Sequence, residues 1–319
     1  MRVSADMANA GPFSPARDLQ ARLDAALGPQ SAERNDTASD LAEPTAAEFE
    51  AIAAHLARAA GIRLEAHKKQ LVLTRLSPRL RDLGMSSFAA YCALLESPDG
   101  GDEIPFMVNR LTTNLTKFFR EPHHFEDLAR RLEQRLAVQP RARLRIWSAG
   151  CSTGQEPYSI AMVLAAATRR AGPGDRLVLA TDIDSEVLAR AEAALYAEAD
   201  RRAAPPAMRG YFGAPDAQGR CRIAPEVAKL VRFKPLNLLE DWPMRGRFEA
   251  IFFRNVAIYF PIDVQQQLYG QMAHLLAPGG VLYLGHSESI RGASLGLETL
   301  GQTMFRKPSA GGVDCWSGA

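Results

Sequence analysis

From residue 125 onward, short apolar runs alternate with segments whose apolar residues recur every three or four positions. The runs at 144–148, 176–181, 231–233, 248–253 and 281–284 have strand length and no helical period. Between them the spacing predicts helices over 125–138, 158–168, 185–196 and 263–276, with Pro278-Gly-Gly280 as a turn before the last strand. Strands alternating with helices predict an α/β fold with a mostly parallel sheet covered on both faces. One stretch breaks the rhythm: Pro205-Pro206, Tyr211-Phe-Gly, a polar turn from Gly213 to Gly219 and Cys221-Arg-Ile223 suit an inserted β-hairpin, giving a β-subdomain over 204–230.

The preceding part reads as helical. Thr45-Ala-Ala-Glu48 has capping-box spacing, Phe49, Ile52 and Leu56 share a face, and Gly61 is the stop. In 65–84, at 100° per residue, Lys68, Arg75 and Arg79 fall within about 20° of one direction, roughly 60 to 140° from Leu73, Leu76, Leu80 and Leu83. The leucines are expected to pack and the cations to face out, as a solvated face or a docking stripe, with Pro78 kinking or ending the helix near 74–77. A third helix starts at Ser86 and uses Phe88, Tyr91 and Leu95, before a loop at Ser97-Pro-Asp-Gly-Gly-Asp102. The expected divisions are a disordered tail at 1–44, a helical domain with linker at 45–118, an α/β domain at 119–308 and a disordered tail at 309–319.

Composition narrows the class. The 319 residues are 47% hydrophobic, enough for two domains with sizeable cores. A net charge of +2 implies neither nucleic acid nor membrane binding in bulk. The four cysteines are far apart and form no metal spacing, which points to a reducing cytoplasm, and no apolar run is long enough for a signal or a span.

Candidate chemistry gathers at strand ends, where open α/β sheets bind ligands. Gly150 and Gly154 follow the first strand, Asp182 the second, Asn237 the third, and Arg254-Asn255 the fourth. Each could be a cap or turn residue; together they suggest one crevice. Asp182 lies about 30 positions after the glycine turn, where a carboxylate can accept from both hydroxyls of a ribose. The turn lacks the third glycine of the dinucleotide fingerprint and any Gly-Lys-Ser/Thr, and Glu156 at the helix start repels a pyrophosphate but suits a cation. A positively charged nucleoside such as S-adenosylmethionine satisfies all of these. The hydroxyl-rich and amide-rich segment 109–121 is either an interdomain linker or part of that site.

These residues fall in six stretches: Thr112-Thr-Asn-Leu-Thr-Lys-Phe-Phe-Arg120, Trp147-Ser-Ala-Gly-Cys-Ser-Thr-Gly-Gln-Glu-Pro-Tyr-Ser159, Ala180-Thr-Asp-Ile-Asp184, Leu236-Asn-Leu238, Phe253-Arg-Asn-Val-Ala-Ile-Tyr-Phe260 and Gly285-His-Ser-Glu288. In this order they resemble the CheR family of chemoreceptor glutamate O-methyltransferases, from about residue 45 to 307. The resemblance implies a Rossmann-like S-adenosylmethionine-dependent methyltransferase, with a small N-terminal all-helical domain and an inserted antiparallel β-subdomain. It implies cofactor contacts at Asn114, Thr116, Arg120, Gly150, Glu156, Asp182, Asn237, Leu238, Arg254 and Asn255, and places Arg120 and Tyr259 near the reacting methyl group. The implied product is S-adenosylhomocysteine, and the implied substrate is the cytoplasmic domain of a transmembrane chemoreceptor, against which Lys68, Arg75 and Arg79 could dock. No metal, nucleic-acid partner or membrane insertion is expected, and the chain is expected to act as a monomer. The same motifs would serve methylation of another signalling protein, or a non-catalytic module that senses the cofactor.

Overall fold

The structure is a computed structural model describing residues 41–169, 171–290, 295–309 and 314–316. Residues 1–40 of the expected N-terminal tail lie outside the described residues. The chain divides into two compact units, one of the chain up to His55 with Glu65–Leu111, the other of Leu56–Leu64 with Thr112 onward.

Helix α1 (Ala46–Ala60) opens on the expected capping box. Glu48 Oε2 accepts from Thr45 N at 2.7 Å and Thr45 Oγ1 at 2.9 Å, and Thr45 Oγ1 accepts from Glu48 N at 3.3 Å. A 3-10 turn (Ala66–Lys68), α2 (Lys69–Asp82), α3 (Phe88–Glu96) and α4 (Gly100–Leu111) make up the rest of the helical unit. Pro78 neither ends nor replaces α2. It forfeits one backbone bond, while Val72, Leu76, Ser77 and Leu80 stay buried on both sides of it and hold the helix. The sequence pattern gave no helix for 100–111, because two glycines and Pro105 obscure it; Glu103, Met107, Val108 and Leu111 nevertheless form its buried face.

Burial of α4 changes the basic stripe. Arg79 does not face out: its Nε donates to Glu103 Oε1 at 3.0 Å and its NH2 to Oε2 at 2.6 Å, and its guanidinium lies 4.3 Å from the Phe106 ring centroid. Glu103 is fully buried and also accepts from the Tyr91 hydroxyl at 2.9 Å, so Arg79 is the counter-ion of a buried carboxylate. Arg75 donates to Leu111 O at 2.9 Å, and Lys68 is exposed in the 3-10 turn rather than on α2.

The larger unit runs α5 (Pro122–Val138), β1 (Leu144–Ala149), α6 (Gln155–Thr168), β2 (Arg176–Asp182), α7 (Ser185–Ala193), β3 (Leu195–Ala197), α8 (Glu198–Ala203), β4 (Phe212–Pro215) and β5 (Arg220–Ile223). It continues through α9 (Pro225–Ala228), β6 (Val231–Pro235), β7 (Phe248–Phe253), α10 (Ile262–Leu275), β8 (Leu276–Leu284), β9 (Glu298–Gly301) and β10 (Met304–Arg306). The main sheet has the order β6-β2-β1-β7-β8-β10-β9. Its first five strands are parallel, with β10 and β9 added antiparallel at one edge. Side chains alternate between its faces: Ile146, Val178 and Phe252 pack with Phe125 and Leu128 of α5, whereas Trp147, Ile251 and Phe253 pack with Leu268 and Tyr269 of α10. The chain crosses the sheet between β1 and β7, placing the switch point at the carboxyl end of β1.

Three further expectations change. The helix predicted to Tyr196 ends at Ala193, where Ala194 takes a φ of 54° and Leu195–Ala197 pairs with β5. The insertion is therefore the three-stranded sheet β3-β5-β4 and begins before residue 204. Pro278-Gly-Gly280 is a bulge inside β8, which pairs with β7 on both sides of it. Of the expected C-terminal tail, Asp314–Trp316 is ordered, with Trp316 buried in the core beneath the sheet; 310–313 and 317–319 lie outside the described residues. Among the described residues no helix is long and apolar enough to cross a membrane.

Candidate functional site

The turn after β1 is built on two glycines where any side chain is strained and crowded. Gly150 has a φ of 80°, and a Cβ there would lie 2.4 Å from Val256 Cγ2. Gly154 has a φ of 94°, and its Cβ would meet the Tyr196 hydroxyl at 2.5 Å. Between them Ser152 N donates to Asp182 Oδ2 at 2.8 Å, drawing the turn against the end of β2.

Asp182 is thus held by backbone, with Oδ1 accepting from Asp184 N at 3.0 Å. Burial raises its carboxyl to about 6 despite these bonds. Asp184 was no sequence candidate, yet it ties two segments together. One oxygen caps α7 by accepting from Glu186 N and Val187 N, and the other accepts from Thr112 Oγ1 at 2.8 Å and Asn114 Nδ2 at 2.9 Å.

Segment 112–121 therefore belongs to the rim of this site. Phe118 packs edge-on against Tyr196 and Phe212, and Phe119 against Phe125, so the aromatic pair anchors it. Ser152 Oγ donates to Asn114 O at 3.0 Å, and Arg120 NH1 donates to Leu115 O at 3.2 Å. Thr116 is half-buried on the same stretch. The Tyr259 hydroxyl lies 3.4 Å from Thr113 O and closes the rim from the β7 side.

Beneath the rim lies a buried charge network. Arg254 NH1 donates to Glu156 Oε2 at 3.0 Å, its NH2 donates to Arg120 O and lies 3.5 Å from Glu121 Oε2, and its side chain is 1% exposed. Glu156 Oε1 accepts from Ser148 Oγ at 2.7 Å. Burial raises the Glu156 carboxyl against the pull of Arg254. For Glu121 burial works upward too, but Arg254 and His286 hold it below the ordinary range. Glu156 and Arg254 thus pair with each other, a coupling their separation in the sequence conceals.

Asn255 follows with a φ of 60°, and Gly285 leaves room for it: a Cβ on Gly285 would lie 2.4 Å from Asn255 Nδ2. Glu288, in a motif that suggests no role from its residues alone, accepts from Gly285 N, Asn255 N, Val256 N and Ala257 N. At the end of β6, Leu236 N donates to Asp182 O at 3.0 Å. Next to it Asn237 donates to Ala59 O at 2.9 Å and to Glu240, and its own oxygen accepts from Leu239 N. The Leu238 side chain is buried against Trp147 and Phe248, while its carbonyl accepts from Trp242 Nε1.

Of the sequence candidates, Asn114, Thr116, Arg120, Gly150, Glu156, Asp182, Asn237, Leu238, Arg254, Asn255 and Tyr259 all lie in the larger unit, joined by these contacts. Lys68, Arg75 and Arg79 lie in the helical unit. Chemically the site offers Asp182, a carboxylate held by backbone donors, above a network of Glu156, Glu121 and Arg254 that keeps a net negative charge. These acceptors suit ribose hydroxyls and a positively charged group and disfavour a phosphate.

The profile of the CheR methyltransferase SAM binding domain matches residues 114–305, and that of the CheR methyltransferase all-alpha domain matches residues 47–112. A chemotaxis protein methyltransferase of Klebsiella aerogenes is 44% identical over 264 residues, spanning 81% of this chain and 89% of that protein. Chemotaxis protein methyltransferase 2 of Pseudomonas aeruginosa is 43% identical over 268 residues, 82% of this chain and 93% of that one. The Escherichia coli chemotaxis protein methyltransferase is 42% identical over 263 residues, 81% and 90% of the two chains. The chain belongs to the CheR methyltransferase family, with a helical N-terminal domain and an α/β domain that binds S-adenosylmethionine.

Proposed function

We propose that the protein methylates glutamate side chains on the cytoplasmic domains of chemoreceptors. The observation that carries this is the rim beside the cofactor domain's acidic site: segment 112–121 holds Arg120, 28% exposed, and the Tyr259 phenol reaches Thr113 O of the same segment. The identity of over 40% with chemotaxis protein methyltransferases supports the partner.

The residues present fit S-adenosylmethionine. Asp182 would hold the ribose hydroxyls, the turn at Gly150 would admit the nucleoside closely, and Glu156, Asn114, Thr116, Arg254, Asn255, Asn237 and Leu238 would frame the rest. When bound, the cofactor supplies a methyl group activated by a sulfonium. A substrate glutamate has a pKa of about 4.3 and is ionised at neutral pH, so its oxygen is nucleophilic without a general base. The chain's task is then alignment and exclusion of water, which can lower a barrier by several kcal/mol. Arg120 draws the carboxylate in, and Tyr259 fixes its approach.

Receptor docking is proposed for the exposed Lys68 and for Arg75 in the helical unit, with Arg79 serving as the counter-ion of Glu103. The four unpaired cysteines fit the reducing cytoplasm. Incubating the protein and methyl-labelled cofactor with membranes that contain or lack chemoreceptors tests the assignment. Label should enter only the receptor-containing membranes; equal labelling of both sinks the assignment.

A further inference from the structure

Three successive residues of the loop that carries Asn255 and Tyr259 are held by one side chain. Val256, Ala257 and Asn255 present three successive backbone N–H groups, and none of them donates within a helix or strand. Glu288 meets all three: its Oε2 accepts from Asn255 N at 2.9 Å, and its Oε1 accepts from Val256 N at 2.9 Å and Ala257 N at 2.8 Å. A fourth donor, Gly285 N, reaches Oε2 at 2.6 Å. Glu288 is 4% exposed, and among the described residues no cation is paired with it. Among the described residues, then, the groups that meet this carboxylate are backbone amides, and meeting four of them takes an acceptor with two oxygens.

Those amides occupy positions that matter. Asn255 is left-handed at φ 60°, a conformation asparagine adopts more readily than other side-chain-bearing residues and one that turns the chain sharply after β7. Ala257 opens the 3-10 turn Ala257–Tyr259, and Tyr259 N donates to Val256 O at 3.2 Å, so the course of Val256 and Ala257 sets where the phenol stands. The turn Gly285–Glu288 brings the end of β8 to the end of β7.

We infer that Glu288 is a positioning residue for methyl transfer, its carboxylate shaping the loop from which Asn255 faces the cofactor site and Tyr259 the substrate. This rests on the proposed placement of Tyr259 at the reacting group. Glu288→Gln keeps the shape but replaces one acceptor oxygen by an NH2 that confronts backbone donors, so the loop must shift. A displacement of about 1 Å at reacting groups can cost about a hundredfold in rate.

The first test uses the unaltered protein. Hydrogen exchange followed by NMR should find the Asn255, Val256 and Ala257 amides protected although no helix or strand bonds them; rapid exchange at all three overturns the inference whatever any variant does. The second is a double-mutant cycle on methyl transfer, with melting temperature as the folding control. Glu288→Gln should lower kcat about tenfold to a hundredfold and release that protection. In a Tyr259→Phe background the same change should cost much less, because its target is gone. An equal cost in both backgrounds, with Tyr259→Phe itself impaired, overturns the role of Glu288 and leaves that of Tyr259 standing. Full activity of Tyr259→Phe alone removes Tyr259 from the reaction, and with it the positioning role.

Discussion

Replacing Gly150 by alanine probes the turn on which the cofactor domain depends. Two costs can be separated. The φ of 80° is a left-handed conformation that costs an L-residue about 1–2 kcal/mol. The new Cβ would lie 2.4 Å from Val256 Cγ2 and 3.3 Å from Cγ1, so the β-branched side chain of Val256 must move, an overpacking cost of about 1–3 kcal/mol. Together Gly150→Ala should destabilise the protein by about 2–5 kcal/mol. Val256 also lies on the loop held by Glu288, so its displacement should weaken cofactor-product binding as well. Chemical denaturation gives the first quantity, and titration calorimetry with S-adenosylhomocysteine the second. Adding Val256→Ala should relieve the steric part and leave the backbone part, so the double variant should be more stable than Gly150→Ala alone. If Val256→Ala instead adds its ordinary cavity cost, the contact does not limit the turn. A Gly150→Ala protein of unchanged stability and affinity would refute the conformational argument altogether.

Other perturbations follow from the buried charges. Arg254→Met leaves Glu156 without its guanidinium and should destabilise by about 3–5 kcal/mol in denaturant, with Glu156→Gln in the same chain restoring part of the loss. Because burial raises the Asp182 carboxyl from 3.8 to about 6, the folded state holds that proton more tightly than the unfolded one. The associated stability, about 3 kcal/mol, is present below pH about 4 and lost as the pH rises through about 6, so the stability difference between the protein and Asp182→Asn should change across that window. Affinity for S-adenosylhomocysteine should rise over the same window as the carboxylate becomes able to accept two hydroxyls, and the Asn variant should show no such rise. Reversing Lys68 and Arg75 to glutamate should slow methylation of intact receptors and leave calorimetric product affinity unchanged, whereas Arg79→Glu should lower the melting temperature by stranding Glu103.

Most of the fold was legible because its strands are short apolar runs bounded by polar residues. Phe248–Phe253, for example, is buried on both faces and has no competing helical period. The failures have local causes. Leu188, Ala191 and Leu195 keep helical spacing past the point where Ala194 turns left-handed, so periodicity overran the end of α7. Pro105 and its neighbouring glycines hid α4, and with α4 hidden nothing indicated that Arg79 would meet a buried Glu103. Within the site, strand-end position identified Asp182, Asn237 and Arg254-Asn255. What it could not supply was pairing: Glu156 with Arg254 spans 98 positions, Asn114 with Asp184 spans 70, and Asn255 with Glu288 spans 33. Asp184 did carry a local signal, as an N-cap ahead of Ser185-Glu186-Val187.

The central claim is that the transferred methyl group ends on a carboxylate oxygen of a receptor glutamate. The most direct measurement is transfer of labelled methyl to a purified receptor cytoplasmic domain, with one portion treated with mild alkali and a second, untreated portion taken to peptide mass mapping. A glutamate methyl ester predicts label released by alkali as volatile methanol and, in the untreated portion, a gain of about 14 daltons confined to glutamate-containing peptides, as a methyl group replaces the carboxyl hydrogen. Label that survives alkali, or a mass gain on lysine, arginine or cysteine peptides, would contradict the account.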